Sequence, residues 1–591
     1  MDHQYEMLVK ILDRLCLDAP SSYKTYYPDG GDAEALTKAR SLAFIHLLLK
    51  VKFGLTEFME RHQRITDGPQ DGGLDAFYID EERKRLFMIQ AKFRASAQNF
   101  KQRSMKADEL IRMEVTRITK GYTDDSNGNA YNSKIRAFQE QWRGIRDVAK
   151  YEYIVLFLGN VNTLNDDQIR KLIDNCEYET YDASAAYEKL IFPLASGTYY
   201  DPDEIIIRLE LVQKKSPRLE QIVDTDFGQY NVTAIFVPIG EIGRVMSRYK
   251  NAILKYNPRN FLSLQKKSVN ENIRKSVLDQ EKNNFAILNN GITILADNVS
   301  ISESTGRTNE GQLILTKPQI LNGGQTAYTL STVYEEYHNK PENPLRDKEV
   351  LLKIITPVSA SQTVKTDFIE LISNATNQQN EVSEADRRSN HDIQVALQKQ
   401  IYSHYGYFYE RKAGEFHDGI NGGIIDQEFV IDRLTFIKAY WAYLGEPAAA
   451  RRTSEKFLFK EGMFYAILKN MERFSEMFFA YILFNEMQKL ERTFGKKSDS
   501  TRSYGYSLLY GKWAVVASIG ITKPTINSDS TEIFAQATET VRDRLSTWSQ
   551  FDDFVRMKRS ATKYFAEGTS NYELYYKVNM LDEDVREYFL K

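Results

Sequence analysis

Cysteine is nearly absent from this sequence, and this shortage and others exclude several classes of protein. The 591 residues include two cysteines, so we expect neither a disulfide framework nor a cysteine-based zinc site, and a reducing, cytoplasmic setting follows. No apolar run reaches membrane-spanning length, and the N-terminus has no signal-peptide pattern, so no membrane partner is expected. Because the net charge is only −3, any surface for nucleic acid has to be a local basic patch.

What the sequence does contain is the composition of a large globular protein, with 42% hydrophobic and 27% charged residues. Its length is sufficient for three or more domains. The strand and helix patterns predict a mixed α/β (α+β) multidomain protein. We expect an N-terminal α/β domain over residues 1–200, a central mixed α/β body over 201–450 and a helical C-terminal region over 451–591.

The most informative stretch is residues 67–92, with the sequence DGPQDGGLDAFYIDEERKRLFMIQAK. A Gly-rich turn leads into two apolar runs separated by a charged turn, which is typical of a β-hairpin. If the two strands pair, Asp75 at the start of the first lies beside Gln90 and Lys92 at the end of the second. Gln90 and Lys92 are two residues apart, so they point to the same face of their strand.

A carboxylate, an amide and an ammonium placed together suit phosphodiester cleavage. Asp75 can bind a hard divalent cation, Mg²⁺ or Mn²⁺, and Lys92 can act on water or stabilise charge on the phosphate. The pattern resembles the PD-(D/E)XK nuclease superfamily in the variant where Gln90 replaces the second acid. It is similar to type IV restriction endonucleases, which share DGG-x-D…Q-x-K. The alternative is a surface hairpin with an ordinary Asp and Lys.

This resemblance implies a restriction-endonuclease-like fold for the N-terminal domain, and one more acid from the helix before the first motif strand. Glu34, in the first turn of that predicted helix, is our candidate for a catalytic acid and metal ligand beside Asp75. Glu57 and Asp71 are the alternatives, and the helix dipole alone also favours a glutamate at position 34. A neutral amide is a weak ligand for a hard cation, so Gln90 makes an additional acid more necessary.

Basic side chains follow the hairpin. Residues 94–120 interleave them with apolar residues, which predicts an amphipathic helix with a basic face. A phosphate-contacting surface and an ordinary solvated helix face both fit this pattern. Farther along, the segment KLIFPL at 189–194 predicts a short strand.

Polar motifs mark the central body. NNGIT stands at a strand entry, and ILNGGQT forms a strand–turn–helix junction whose backbone N–H groups suit an anion. ATNQQN is a cluster of amides, and FYERKAGEF places basic residues beside aromatic ones, a composition suited to nucleic acid. The candidate nucleic-acid- or ligand-binding residues are Asn289, Asn290, Asn322, Gly323, Gly324, Gln325, Thr326, Asn377, Arg411 and Lys412.

In order and spacing these motifs, together with NPRNFLS, resemble the AIPR family, the abortive infection phage resistance proteins, across residues 205–450. The resemblance implies bacterial antiviral defence, and that family often carries an N-terminal PD-(D/E)XK-like nuclease. The two resemblances together favour a metal-dependent endonuclease of abortive infection that cleaves DNA. A homodimer or higher homo-oligomer and a phage-derived trigger are compatible with this role. Two alternatives stay open: a regulator that binds nucleic acid or nucleotide but is catalytically inactive, and an effector that cleaves RNA.

Overall fold

The computed structural model confirms a mixed α/β protein with several separate sheets. It describes residues 3–28, 31–81, 83–110, 114–198, 204–211, 217–257, 267–278, 283–303, 309–359, 368–369, 371–372, 383–460, 463–494, 504–527, 529, 532–566 and 568–590. Within these ranges, none of the helices is both long enough and apolar enough to span a membrane.

The N-terminal region is built on a four-stranded sheet in the order β1-β2-β3-β4. The strands are β1 Ala76–Asp80, β2 Arg85–Ala91, β3 Glu152–Leu158 and β4 Glu177–Thr180. β1 and β2 form the predicted antiparallel hairpin, whereas β3 and β4 are added in parallel. Parallel neighbours require a crossover, and helices between β2 and β3 and between β3 and β4 provide it.

Helices lie on both sides of this sheet. They are α1 His3–Cys16, α2 Ala33–Phe53, α3 Phe58–His62, α4 Ala97–Gln102, α5 Ala107–Leu110, α6 Val115–Thr119, α7 Ser133–Arg143, α8 Asp166–Leu172, α9 Ala183–Ala186 and α10 Phe192–Ser196. The start and end of α2 are as predicted. The Asp32 carboxylate accepts the N–H groups of Glu34 and Ala35, and Gly54 ends the helix in the left-handed conformation.

Two predictions in this region are wrong. The described part of residues 94–120 forms the three short helices α4–α6 instead of one helix. The chain leaves α4 to join the end of β3, where the Met105 N–H donates to the Asn160 carbonyl at 2.7 Å. Residues 189–194 are helical, since the π-helical turn Tyr187–Ile191 leads directly into α10. A short apolar run does not by itself distinguish a buried strand from a buried helix.

The side chains of the hairpin alternate between two apolar clusters. The apolar even-numbered residues of β1 and odd-numbered residues of β2 enter the cluster that contains α1 and α2. The other apolar residues of both strands enter the cluster formed with α6, α7 and α8. By this alternation Asp75, Gln90 and Lys92 all belong to the second side. The structure thus confirms that Gln90 and Lys92 share a face, and it adds Asp75 to that face.

The central region contains a three-stranded sheet, β5-β10-β9, and a five-stranded sheet, β11-β8-β12-β7-β6. The strands are β5 Glu204–Glu210, β6 Arg218–Thr225, β7 Gly228–Pro238, β8 Ile292–Leu295, β9 Asn298–Ser302, β10 Glu310–Thr316, β11 Gln319–Asn322 and β12 Glu349–Pro357. Helix α11, Ile239–Tyr249, packs on helix Gly324–Tyr337, and both share one apolar cluster with strands of the two sheets. A short parallel pair, β13 Phe408–Glu410 and β14 Val430–Asp432, follows.

The remainder is helical, as predicted for the C-terminal region. The described helices after α11 are Lys267–Leu278, Phe285–Leu288, Gly324–Tyr337, Glu384–Arg387, Asp392–Tyr405, His417–Asn421, Arg433–Tyr443, Pro447–Arg452, Glu455–Leu458, Met463–Leu468, Phe474–Phe494, Lys512–Gly520, Glu532–Ser546, Trp548–Lys558, Tyr572–Tyr575 and Met580–Phe589. Their core begins before residue 450, because Ala385 and Tyr409 belong to it. Tyr402 and Phe408 instead join the core of α1 and α2, where the Tyr402 hydroxyl donates to the Tyr187 carbonyl at 2.9 Å.

Candidate active site

The Gly-rich turn before β1 brings three carboxylates together. The Asp67 N–H donates to the Asp75 carbonyl at 3.0 Å, which closes the turn. Asp71 braces its interior, since its carboxylate accepts the N–H groups of Gly68 and Gly73 at 3.1 and 2.8 Å. As a result, one carboxylate oxygen from each of Asp67, Asp71 and Asp75 lies within 4.8 Å of the other two.

Asp75 is fixed against the end of β2. Its backbone N–H donates to the Ile89 carbonyl at 2.9 Å, and its carboxylate accepts the Ala91 N–H at 2.6 Å. Burial raises the pKa of Asp75 well above its ordinary value; the Ala91 N–H opposes this shift, and the nearby Asp67 and Asp71 add to it. Burial likewise raises the pKa of Asp71. The three carboxylates therefore form a site where negative charge is unfavourable until a cation balances it.

Helix α5 contacts the same face of the sheet through Glu109. The Gln90 amide donates to the Glu109 carbonyl at 2.8 Å, while the buried Gln90 Oε1 accepts no hydrogen bond from any described residue. The Lys92 ammonium lies 3.2 Å from the Glu109 carboxylate, and 45% of the Lys92 side chain is exposed. Burial alone would raise the pKa of Glu109, but the Lys106 N–H and the Lys92 ammonium hold it below its ordinary value. Glu109 is therefore ionised at neutral pH.

The groups present fit a hard divalent cation. Carboxylate and amide oxygens are the ligands that Mg²⁺ and Mn²⁺ prefer. Asp67, Asp71 and Asp75 would hold the ion, and its positive charge would offset the burial and the neighbouring negative charge that raise the pKa values of Asp71 and Asp75. The Gln90 Oε1 is a further oxygen on this face, and no described residue donates to it the hydrogen bond that a buried oxygen normally receives.

Three of the four predicted catalytic residues lie on one face, and Glu34 does not join them. Glu34 is exposed in the first turn of α2, outside the group of converging carboxylates, so its role as a ligand stays a prediction without a supporting contact. Of the two alternatives, Asp71 lies within the group, and Glu57 does not.

Sequence reasoning missed Asp67 and Glu109. Asp67, Asp71 and Asp75 are spaced four residues apart around glycines, and this spacing is a signal that could have identified Asp67. No such signal exists for Glu109, because its contact with Lys92 depends on where the short helix α5 packs.

Two motifs of the central region meet in the five-stranded sheet. The Asn289 amide donates to the Thr326 hydroxyl at 3.0 Å, and the Asn289 side-chain oxygen accepts the Gly291 N–H at 2.9 Å. The Asn322 side chain accepts the N–H of Gly323 at 2.8 Å. These contacts join NNGIT to NGGQT within the protein. The residues whose predicted ligand-binding role stays a prediction are Asn289, Asn290, Asn322, Gly323, Gly324, Gln325 and Thr326.

The close approach of the two motifs depends on a glycine at position 323. Gly323 has φ of 87°, and an added Cβ would lie 2.9 Å from the Gly291 carbonyl oxygen. We expect Gly323→Ala to lower the free energy of unfolding by about 2–4 kcal/mol, combining backbone strain with steric overlap. Gly128→Ala is the matched control, because Gly128 has φ of 83° and no atom within 4 Å of an added Cβ. Equal losses in both variants, measured by urea denaturation, would contradict the packing argument.

Arg411 and Lys412 do not form the predicted nucleic-acid surface, because both are buried. The Arg411 guanidinium lies 3.0 Å from the Glu415 carboxylate, and the Lys412 ammonium donates to the carbonyls of Lys255 and Asn257 at 2.6 and 2.7 Å. Burial, together with the positive charge of Arg411, lowers the pKa of Lys412 to about 7. Lys412 therefore connects its own segment to residues 255–257, and Arg411 pairs with Glu415 inside the protein.

Asn377 of the amide cluster lies outside the described residues, as do most residues of NPRNFLS. The contacts of these two motifs are therefore not part of the site described above.

Comparison with known proteins gives one match. A family model described as AIPR protein matches residues 254–565. This match begins later and ends later than the resemblance seen in the motifs, and the four-stranded sheet lies outside it. No curated protein and no solved structure matches the chain. Since the matched residues make up more than half of the 591, the chain belongs to the AIPR family.

Proposed function

We propose that the protein is a metal-dependent endonuclease, with DNA as its preferred substrate, that acts in bacterial defence against phage. The observation that carries this proposal is the convergence of Asp67, Asp71 and Asp75 beside Gln90 and Lys92 on one side of the N-terminal sheet. Membership of the AIPR family, the abortive infection phage resistance proteins, supports the role in defence.

The chemistry follows from what each group can do. A divalent cation, when bound, would polarise the scissile phosphate and lower the pKa of a bound water. The Ala91 N–H holds the Asp75 carboxylate in a fixed position at the centre of the site. Lys92 is exposed enough to reach a phosphate, where its ammonium stabilises the negative charge that develops during cleavage. Glu109 positions Lys92 until a phosphate takes its place as the ion-pair partner.

Two exposed basic residues lie beside the site and suit the nucleic-acid backbone. Lys106 precedes α5 and its N–H donates to the Glu109 carboxylate at 2.9 Å, and Lys134 stands in the first turn of α7. Lys134 is tied to the Asp-rich turn, since its ammonium donates to the Asp67 carbonyl at 3.3 Å. Contacts of this kind fix the position of a substrate without reading its sequence, and they weaken as salt increases.

The direct test is a cleavage assay with the full-length protein. Supercoiled plasmid, phage genomic DNA and total RNA are each incubated with Mg²⁺, with Mn²⁺ and with EDTA. We expect cleavage of DNA with either metal and none with EDTA, because the carboxylates cannot act on a phosphate without a cation. Cleavage of RNA alone would support a nuclease but contradict DNA as its preferred substrate.

Metal binding separates this proposal from an inactive regulator. The observation that favours the regulator is Gln90, a neutral residue at the position of the second acid in the PD-(D/E)XK pattern that the hairpin resembles. Calorimetric titration with Mn²⁺ is expected to show binding that Asp75→Ala abolishes. Absence of both binding and cleavage would favour the regulator, while binding without cleavage would indicate a nuclease that requires a trigger.

A further inference from the structure

Strand β6 is the edge strand of the five-stranded sheet, and its apolar side chains face solvent. It spans eight residues, Arg218–Thr225, of which all but the last are exposed. Leu219 is 67% exposed, Ile222 60% and Val223 38%. Its inner edge pairs with β7, and no other described strand pairs with its outer edge. An exposed apolar edge strand of this length is a site where another strand can add.

The apolar residues continue onto the neighbouring strand. In the β6–β7 register Leu219 is opposite Ala234, so Phe236, two residues farther along β7, lies on the same side of the sheet as Leu219 and Val223. Phe236 is 47% exposed. The partner of this edge therefore has to cover an apolar strip as well as supply backbone hydrogen bonds.

The sequence of β6 is complementary to itself in the antiparallel direction. When two copies of RLEQIVDT are aligned about Gln221, Arg218 is opposite Asp224 and Leu219 is opposite Val223. Both pairs occur twice because of the two-fold symmetry, so an opposite-charge pair lies at each end with an apolar pair next to it, and Glu220 is opposite Ile222 between them. These two matches favour a second copy of the same strand as the partner.

We propose that β6 pairs in the antiparallel direction with β6 of a second copy of this chain. The two five-stranded sheets then form one continuous sheet across the axis of a two-fold dimer. Arg218 already lies 2.6 Å from Glu220 and 2.8 Å from Glu303 on its own chain, and the partner's Asp224 adds a carboxylate to that group. This proposal uses no residue of the candidate active site, so it stands or falls independently of the nuclease.

Charge reversal with rescue tests the pairing. The molecular mass of the full-length protein is measured by light scattering after size-exclusion chromatography. The wild type is expected at twice the 68.4 kDa chain mass. Arg218→Asp and Asp224→Arg are each expected to shift the protein to a single chain mass, because each variant places like charges opposite one another. The double variant is expected to return to twice the chain mass.

The rescue identifies contact between chains. Residues 218 and 224 are about 20 Å apart along one strand, so they cannot compensate each other within a single chain. Lys150→Asp is the control for charge change alone, since Lys150 is 71% exposed and lies near the start of β3. A wild type of single chain mass would overturn the proposal. So would a dimer that both single variants leave intact, or a double variant that stays monomeric.

Discussion

Lys92→Ala is expected to reduce cleavage by at least about 100-fold, the effect of removing one group that stabilises charge in a transition state. Lys92 is an exposed cation on the site face of the hairpin, and its ammonium lies 3.2 Å from the Glu109 carboxylate. The variant retains Asp67, Asp71 and Asp75, so its affinity for Mn²⁺ is expected to remain close to that of the wild type. Initial rates on supercoiled plasmid and calorimetric titration measure the two properties separately.

The control for this variant is Lys150→Ala. Lys150 is an exposed lysine whose ion-pair partner, Asp147, is a near neighbour in sequence. Lys150 lies just before β3. The parallel register places the start of β3 opposite Arg85, the first residue of β2, whereas Lys92 follows the last residue of β2, so the two lysines lie at opposite ends of the sheet. Equal rates for Lys92→Ala and the wild type would remove Lys92 from the mechanism. Equal losses in both lysine variants would indicate a general effect of charge on substrate binding.

Asp75→Asn is expected to raise the melting temperature of the metal-free protein while abolishing its stabilisation by metal. In the wild type, burial together with Asp67 and Asp71 opposes ionisation of Asp75. The variant removes this cost and keeps an oxygen that accepts the Ala91 N–H. Each ~1 kcal/mol added to the free energy of unfolding raises the melting temperature of a domain the size of the N-terminal region by about 2–4 °C. A metal at 100 times its dissociation constant adds about 2.7 kcal/mol to the wild type only.

The difference in stability between the metal-free wild type and Asp75→Asn depends on pH, and the direction of the change can be derived. The folded pKa of Asp75 lies above its ordinary value of 3.8, so the unfolded chain ionises more readily. The wild type therefore loses stability relative to Asp75→Asn as pH rises from about 4 through the folded pKa, and the gap is largest above it. Asp543→Asn is the control, because Asp543 is exposed on the helix Glu532–Ser546. A metal-free Asp75→Asn protein that melts below the wild type at neutral pH would contradict this account.

The hairpin could be predicted from sequence because its information is local. The alternation of apolar residues and the charged turn specify β1 and β2, and this pairing alone brings Asp75 to the end of the second strand. Capping at Asp32 and Gly54 is local in the same sense. These features depend on residues that are close together in the chain.

Features that depend on distant parts of the chain could not be predicted. The break between α4 and α5 results from the contact of Met105 with Asn160, more than fifty residues away. Arg411 and Lys412 have a composition suited to nucleic acid, but the carbonyls of Lys255 and Asn257 hold Lys412 in the interior. Basic residues beside aromatic ones indicate a surface only if the fold leaves them exposed.

The core shared between α1, α2 and the segment around Tyr402 has a consequence for how such a protein can evolve. Phe408 and Phe416 lie in the same apolar cluster as Leu12 and Phe44, so the helical layer behind the N-terminal sheet is completed by residues from the family-matched part of the chain. An exchange of residues 1–200 with a homologue would preserve this packing only if the new segment presents matching side chains to Phe408 and Phe416. We therefore expect the two parts to tolerate exchange only as a matched pair.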